Sequence, residues 1–147
     1  MIVDVYVDGS FNEKLQTYGG GIVILVDVLD EPLIQQVVGN DPVLIPYRNI
    51  AGELGAVITA MNTIDNFTDV EKVRIHHDYV GIAYWITNQW QAKKALSSEY
   101  KRFMREFQKK FNIEFIHVKG HSGDKYNNMA DKLAREATFM EVSKGDT

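Results

Sequence analysis

Four carboxylates stand where an α/β sheet gathers its working groups. Asp8 ends an alternating, β-branched run, Ile2 to Val7. Glu53 opens a stretch with helical periodicity. Asp78 follows a second short apolar run, Val73 to His76, and Asp131 lies in the first turns of a C-terminal amphipathic segment. Strand ends and helix starts meet along one rim of such a sheet, beyond the carboxyl ends of its parallel strands. Four ionised carboxylates gathered there repel one another, because like charges within about 4–6 Å disfavour ionisation. A hard divalent cation relieves that repulsion, and an all-oxygen donor set suits Mg²⁺ or Mn²⁺. Two such ions about 3.5–4 Å apart form a clamp for in-line phosphodiester cleavage, one activating water and the other stabilising the leaving oxygen. A local reading competes with this one. Glu53 also suits a helix N-terminus, Asp78 suits a cap for the helix after it, and 20 Asp+Glu among 147 residues make acids common at such places. Spacing alone leaves both readings open.

The elements that must hold these groups follow from periodicity. Residues 2–7 read as a strand ending at Asp8-Gly9-Ser10, residues 11–18 as a polar turn, and Gly19-Gly20-Gly21 as the lead into a second strand, Ile22 to Val26. Leu33 to Val38 reads as a third strand, and strands this close pair most simply as an antiparallel meander. From Glu53 the pattern changes: Leu54, Val57, Ile58, Met61 and Ile64 mark one apolar helix face. A fourth strand at Val73 to His76 precedes a short helix, Val80 to Ile86. Ser97-Ser98 suggests an N-cap for a helix with Tyr100, Phe103, Met104, Phe107 and Phe111 inward. Ile113 to Val118 reads as a fifth strand, and residues 127–141 as a last helix with Ala130, Leu133, Ala134 and Ala137 inward. The order β-β-β-α-β-α-β-α implies an α/β (α+β) fold, a mixed sheet flanked by helices.

Composition narrows the function. With 147 residues, 45% hydrophobic and 24% charged, the chain is expected to form one domain over residues 1–141, with a frayed tail at 142–147. Zero Cys excludes thiolate metal sites, disulfides and a Cys nucleophile, and fits a reducing compartment; the expected location is the cytoplasm. The N-terminal segment lacks a basic start, its apolar run breaks at Asp4, and no run approaches the ~20 apolar residues of a membrane span. A net charge of −4 argues against indiscriminate nucleic-acid binding. Setting the four proposed ligands aside, however, leaves acids and bases balanced. Residues 91–110 also hold seven Lys and Arg (Lys93, Lys94, Lys101, Arg102, Arg105, Lys109, Lys110) against Glu99 and Glu106, just after Trp85 and Trp90. A basic stretch beside aromatics can grip phosphates and sugars, or can be a solvated helix face with core tryptophans.

The local words around the four acids resemble type 1 ribonuclease H. Val7-Asp8-Gly9-Ser10 is similar to that family's first-strand Asp-Gly-Ser. Asn49-Ile50-Ala51-Gly52-Glu53-Leu54 is similar to its Asn-x-x-x-Glu-Leu helix start, and His76-His77-Asp78-Tyr79-Val80-Gly81-Ile82 to its fourth-strand Asp segment. Val118-Lys119-Gly120-His121-Ser122-Gly123, with Asn127 and Ala130-Asp131-Lys132-Leu133-Ala134, resembles its Gly-His-Ser-Gly…Asn-x-x-Ala-Asp-x-Leu-Ala signature. The resemblance spans almost the whole chain and implies a five-stranded sheet of order 3-2-1-4-5. It implies that Asp8 bridges two Mg²⁺ ions, for which Mn²⁺ can substitute. Asp131 would complete the site of the water-activating ion, and Glu53 and Asp78 would hold the ion at the leaving 3′ oxygen. His121 would assist proton transfer or product release, a task suited to a group of pKa near 6.5. His76, His77 and His117 read as strand or core histidines. Asn128 departs from the pattern, since many relatives carry Glu there.

The implied activity is endonucleolytic cleavage of the RNA strand of an RNA–DNA hybrid by a monomer, leaving 5′-phosphate and 3′-hydroxyl. RNA would be told from DNA by its 2′-hydroxyl. Asn49 is placed by resemblance to read that group, with help from Ser10 and Asn12, and Trp90, Lys93 and Lys94 are expected against the DNA strand. The competing functions are a non-catalytic module that binds hybrid or double-stranded RNA, and a DNA-cutting relative of the same fold.

Overall fold

The computed structural model describes residues 1–119 and 124–143. Among them the elements run β1 (Ile2–Asn12), β2 (Thr17–Val26), β3 (Leu33–Gly39), a 3₁₀ turn (Ile45–Tyr47), α1 (Asn49–Ile64), β4 (Lys72–His77), α2 (Gly81–Tyr84), α3 (Ala95–Gln108), β5 (Asn112–His117) and α4 (Lys125–Ala137). The strands form one sheet of order β3-β2-β1-β4-β5, as expected. β1 is antiparallel to β2, and β2 to β3, while β1, β4 and β5 run parallel. Asp8 does not end its strand, because pairing with β2 carries β1 four residues further to Asn12, whereas Asp78 directly follows β4; the parallel pairing of β1 with β4 still brings both acids to the same rim.

The alternation in β1 explains its two faces. Val3, Val5 and Val7 are fully buried in a core shared with Ile22, Ile24, Val73 and Ile75 of the sheet, Leu54, Val57, Met61 and Ile64 of α1, and Tyr100, Met104 and Phe107 of α3. A side chain on the other face of β1 points towards α4, and Asp8 is one of these, paired across the ladder with Gly21. Gly21 is there for space: a Cβ at this position would overlap the carbonyl of Ala130 and crowd the backbone of Ala134 in α4. The glycine run thus lies inside β2, where it lets a helix backbone settle directly on the sheet.

Several expected boundaries move. The segment 11–18 is not a turn. The β1–β2 ladder continues to Asn12↔Thr17, with Phe11 opposite Tyr18, and only residues 13–16 turn. Polar residues at a solvent-facing hairpin end carry no periodic signal, although the ladder holds them. Helix α1 begins four residues before Glu53, after Arg48 in a positive-φ conformation (55°). Glu53 therefore sits one turn inside the helix rather than at its mouth. Ser97 and Ser98 do not cap α3. Lys94 occupies the cap position, and the two hydroxyls donate back to the carbonyls of Lys94 (3.1 Å) and Ala92 (2.8 Å). Phe103 is 43% exposed, outside the core, and Phe111 lies beyond the end of α3. Helix α4 starts at Lys125 under a cap from Asp124, whose carboxylate accepts the N–H groups of Tyr126 and Asn127, and it ends at Ala137, short of the expected 141. Among the described residues no helix is long and apolar enough to cross a membrane.

The close seating of α4 on β2 makes a checkable demand. Gly21→Ala should lower the urea midpoint by the equivalent of about 1–3 kcal/mol, the usual cost of overpacking a filled interior. A variant as stable as the parent would contradict the contact.

Candidate active site

Each acidic group reaches the rim by a different route. The Asp8 carboxylate accepts the N–H of Gly9 at 2.9 Å. Gly9 has a second role: a Cβ there would collide with the carbonyl of Asn49 and the amide of Glu53, so its absence allows the first turns of α1 to close on the end of β1. Glu53 is carried inward by that approach and is 2% exposed. One carboxylate oxygen, Oε2, accepts the backbone N–H of Asp78 (3.3 Å) and of Tyr79 (3.2 Å). Asp78 follows the last residue of β4. Asp131 projects from the second turn of α4, half-exposed, with Arg135 one turn on at 3.1 Å. Asp8, Asp78 and Asp131 line one small cavity of about 160 Å³ together with Gly9, Asn49, Asn127 and Asn128.

The electrostatics follow from this crowding. Burial pushes the Asp8 carboxyl up, and the neighbouring charges of Asp131 and Asp78 push it further against the opposing Gly9 hydrogen bond, so its pKa rises to about 7. Glu53 is raised well above its ordinary value, first by burial and then by the charge of Asp8, with its two backbone donors opposing. Among the described residues, no Lys or Arg lines the cavity. The lining is carboxylate and carboxamide oxygen with no soft donor, which matches a hard divalent cation. The side chains are not gathered as ligands: among the described residues no three acidic or imidazole groups are placed to hold one ion. Asp131 is turned to Arg135 and Glu53 to the Asp78–Tyr79 backbone. A cation fits if Asp131 exchanges its guanidinium partner for the ion. Asp8, Asp78 and Asp131 would then hold it, with Glu53 behind them.

The remaining expected residues fall in three places. Asn49 lines the cavity. Ser10 and Asn12 continue along β1 beyond Asp8 and are not in its lining; Asn12 is engaged with Leu15 N–H (3.1 Å) and Thr138 Oγ1 (3.4 Å) at the hairpin end. Trp90 is 38% exposed and packs edge-on against Tyr79, Tyr84 and Trp85. Lys93 and Lys94 line a separate groove of about 350 Å³ with Tyr47, Tyr79, Trp85 and Gln91. Several of the basic residues in and just after α3 are spoken for: Lys101 by Asn88, Arg102 by Glu99, Arg105 by Ile86 and Gln108, Lys109 by Glu106. His121 lies outside the described residues, as do residues 144–147 of the expected tail. His76 is bonded to Asp4 at 2.9 Å and stacked on Tyr6, a strand histidine as read. Burial holds the neutral form of His77, with its pKa lowered to about 4. Tyr79 joins the cavity side to the aromatic groove; only its position next to Asp78 marks it in the sequence.

Comparison with known proteins gives a family and a shared fold. The family model described as RNase H matches residues 2–139. A ribonuclease H of Hyphomonas neptunium is 29% identical over 146 residues, covering 93% of this chain and 92% of that protein. The crystal structure of RNase H1 from the halophilic archaeon Halobacterium salinarum superposes with a TM-score of 0.74 at 20% identity, covering 93% of this chain and 97% of that one. LC11-RNase H1 in complex with an RNA/DNA hybrid superposes with a TM-score of 0.72, also at 20% identity, covering 92% of this chain and 95% of that one.

The raised Asp8 pKa carries a sign for stability. A carboxyl protonated in the folded state up to about pH 7, but in the unfolded chain only to about 4, costs stability as pH rises through that window. In metal-free buffer, Asp8→Asn should therefore melt higher than the parent at pH 8, by on the order of 1–3 kcal/mol, with the gain vanishing near pH 4. A variant no more stable at pH 8 would show that Asp8 is not under this repulsion.

Proposed function

Because the chain belongs to the type 1 ribonuclease H family and is a ribonuclease H, we propose that it hydrolyses the RNA strand of RNA–DNA hybrids by two-metal-ion chemistry, leaving 5′-phosphate and 3′-hydroxyl ends. The observation that carries this reading is a cavity lined by Asp8, Asp78 and Asp131 and backed by buried Glu53, without a cationic side chain in its lining among the described residues. When bound, Mg²⁺, or Mn²⁺ in its place, supplies the positive charge that makes water a nucleophile at neutral pH and offsets charge on the leaving oxygen. The hybrid bound in the LC11-RNase H1 structure supports the substrate class.

The chain's own groups divide the remaining work. Asp8 feels the charges of both Asp78 and Asp131 and would help to hold either ion. Asp131 would help to hold the ion that activates water. Glu53 and Asp78 would help to hold the ion that offsets charge on the leaving 3′ oxygen. Asn49, on the cavity wall, takes the 2′-hydroxyl as donor and acceptor and so selects RNA. Ser10 and Asn12 line the approach along β1. Trp90, Lys93 and Lys94 receive the DNA strand, where sugars stack on the aromatic edge and phosphates meet the two ammonium groups. His121 moves a proton at the product end. The enzyme acts as a monomer in the cytoplasm.

A labelled RNA–DNA hybrid incubated with Mg²⁺ tests the reading. The parent protein should cut only the RNA strand. Asp8→Asn should cut it on the order of 10³-fold more slowly, the scale of several kcal/mol of lost charge stabilisation. Equal cleavage by both proteins, or faster cleavage of an all-DNA duplex, would overturn it.

A further inference from the structure

Strand β4 must release Asp78 from the sheet so that its carboxylate can enter the cavity. The last ladder pair is His77↔His117, so the peptide groups of Asp78 and Tyr79 lose their strand partners. Unpaired backbone groups at such a site are costly. Side chains take over all four. The two N–H groups donate to Glu53 Oε2. The Asp78 carbonyl faces His117 Nε2 at 2.9 Å, and the Tyr79 carbonyl faces His77 Nδ1 at 3.0 Å while also accepting the N–H of Ile82. A carbonyl only accepts, so each ring must carry a proton on the nitrogen that faces it. That sets the tautomer of the neutral His77 ring, whose buried Nε2 has no partner.

We propose that His77 and His117 are positioning residues for Asp78. Together with Glu53 they replace the missing sheet ladder around the Asp78–Tyr79 segment and hold the Asp78 carboxylate at the cavity. This rests on the nuclease reading only in assigning Asp78 a role there. The two histidines divide the task unequally: His77 is 2% exposed, whereas His117 is solvent-facing, so His77 is the stronger anchor. Partners that orient metal-binding carboxylates typically matter by about 10–100-fold in affinity or activity.

Two kinds of measurement test the clamp. Long-range ¹H–¹⁵N spectra of the metal-free protein should show the His77 proton on Nδ1; a proton on Nε2 would overturn the assignment. His77→Phe and His117→Phe keep a ring and remove the donor, while His77→Gln and His117→Gln restore one. The Phe variants should exchange the Asp78 and Tyr79 amide protons faster and lose kcat on the hybrid, about tenfold or more at 77 and less at 117, with KM within twofold. The Gln variants should recover most of both. Folded Phe variants with parental exchange and kcat, or Gln variants no better than Phe, would overturn the proposal. If His77→Phe does not fold, the exposed position 117 and the tautomer decide. A parent protein that cuts no hybrid would defeat the nuclease reading, while the tautomer and exchange data would still judge the clamp.

Discussion

Like charge held close in a half-dry cavity is the constraint from which the rest of the molecule follows. Asp8, Asp78 and Asp131 come from a strand, a strand exit and a helix far apart in sequence, and they line a space of about 160 Å³. Their mutual repulsion, added to burial, lifts Asp8 to about pH 7, and Glu53 behind them is buried without an ion-pair partner among the described residues. Such an arrangement is electrostatically unfavourable by itself, and a cation bound among these oxygens would relieve it.

Holding that arrangement requires close backbone approach from three directions. Gly21 admits α4, with Asp131, onto one face of the sheet. Gly9 admits the start of α1, with Asn49 and Glu53, onto the end of β1. Parallel pairing of β1 with β4 brings Asp78 alongside; the Glu53 carboxylate and the His117 ring meet its backbone, and the His77 ring meets the carbonyl of Tyr79. The core of valine, isoleucine and aromatic side chains beneath α1 and α3 supplies the apolar burial that makes the strained rim tolerable.

Much of this was legible from residue types. The meander and the strand–helix alternation follow from apolar period and turn residues, because β1 and α1 each bury a regular stripe; of the four acids only Asp78 lies at an element end, the others sitting inside β1, α1 and α4. Failures cluster where polar residues are ordered by tertiary contact. Phe11 to Tyr18 looks like a loop, yet cross-strand pairing holds both its ends and leaves only residues 13–16 as the turn. Ser97 and Ser98 look like a cap, yet their hydroxyls bond carbonyls of the preceding segment. Glu53 looks like a helix start because the visible apolar stripe begins at Leu54; Ala51 and Gly52, small and buried, carry little hydrophobic signal. Tyr79 and the two ring donors beside Asp78 could not be found from type or spacing, since their importance lies in which backbone carbonyl each one faces.

The most direct test is a crystal structure grown with Mn²⁺, read by anomalous scattering at the manganese edge. Peaks should lie among Asp8, Asp78 and Asp131, next to Glu53, with Asp131 turned from Arg135 towards the ion. Manganese bound elsewhere on the surface, with Asp131 still paired to Arg135 and the cavity holding only water at millimolar Mn²⁺, would contradict the account.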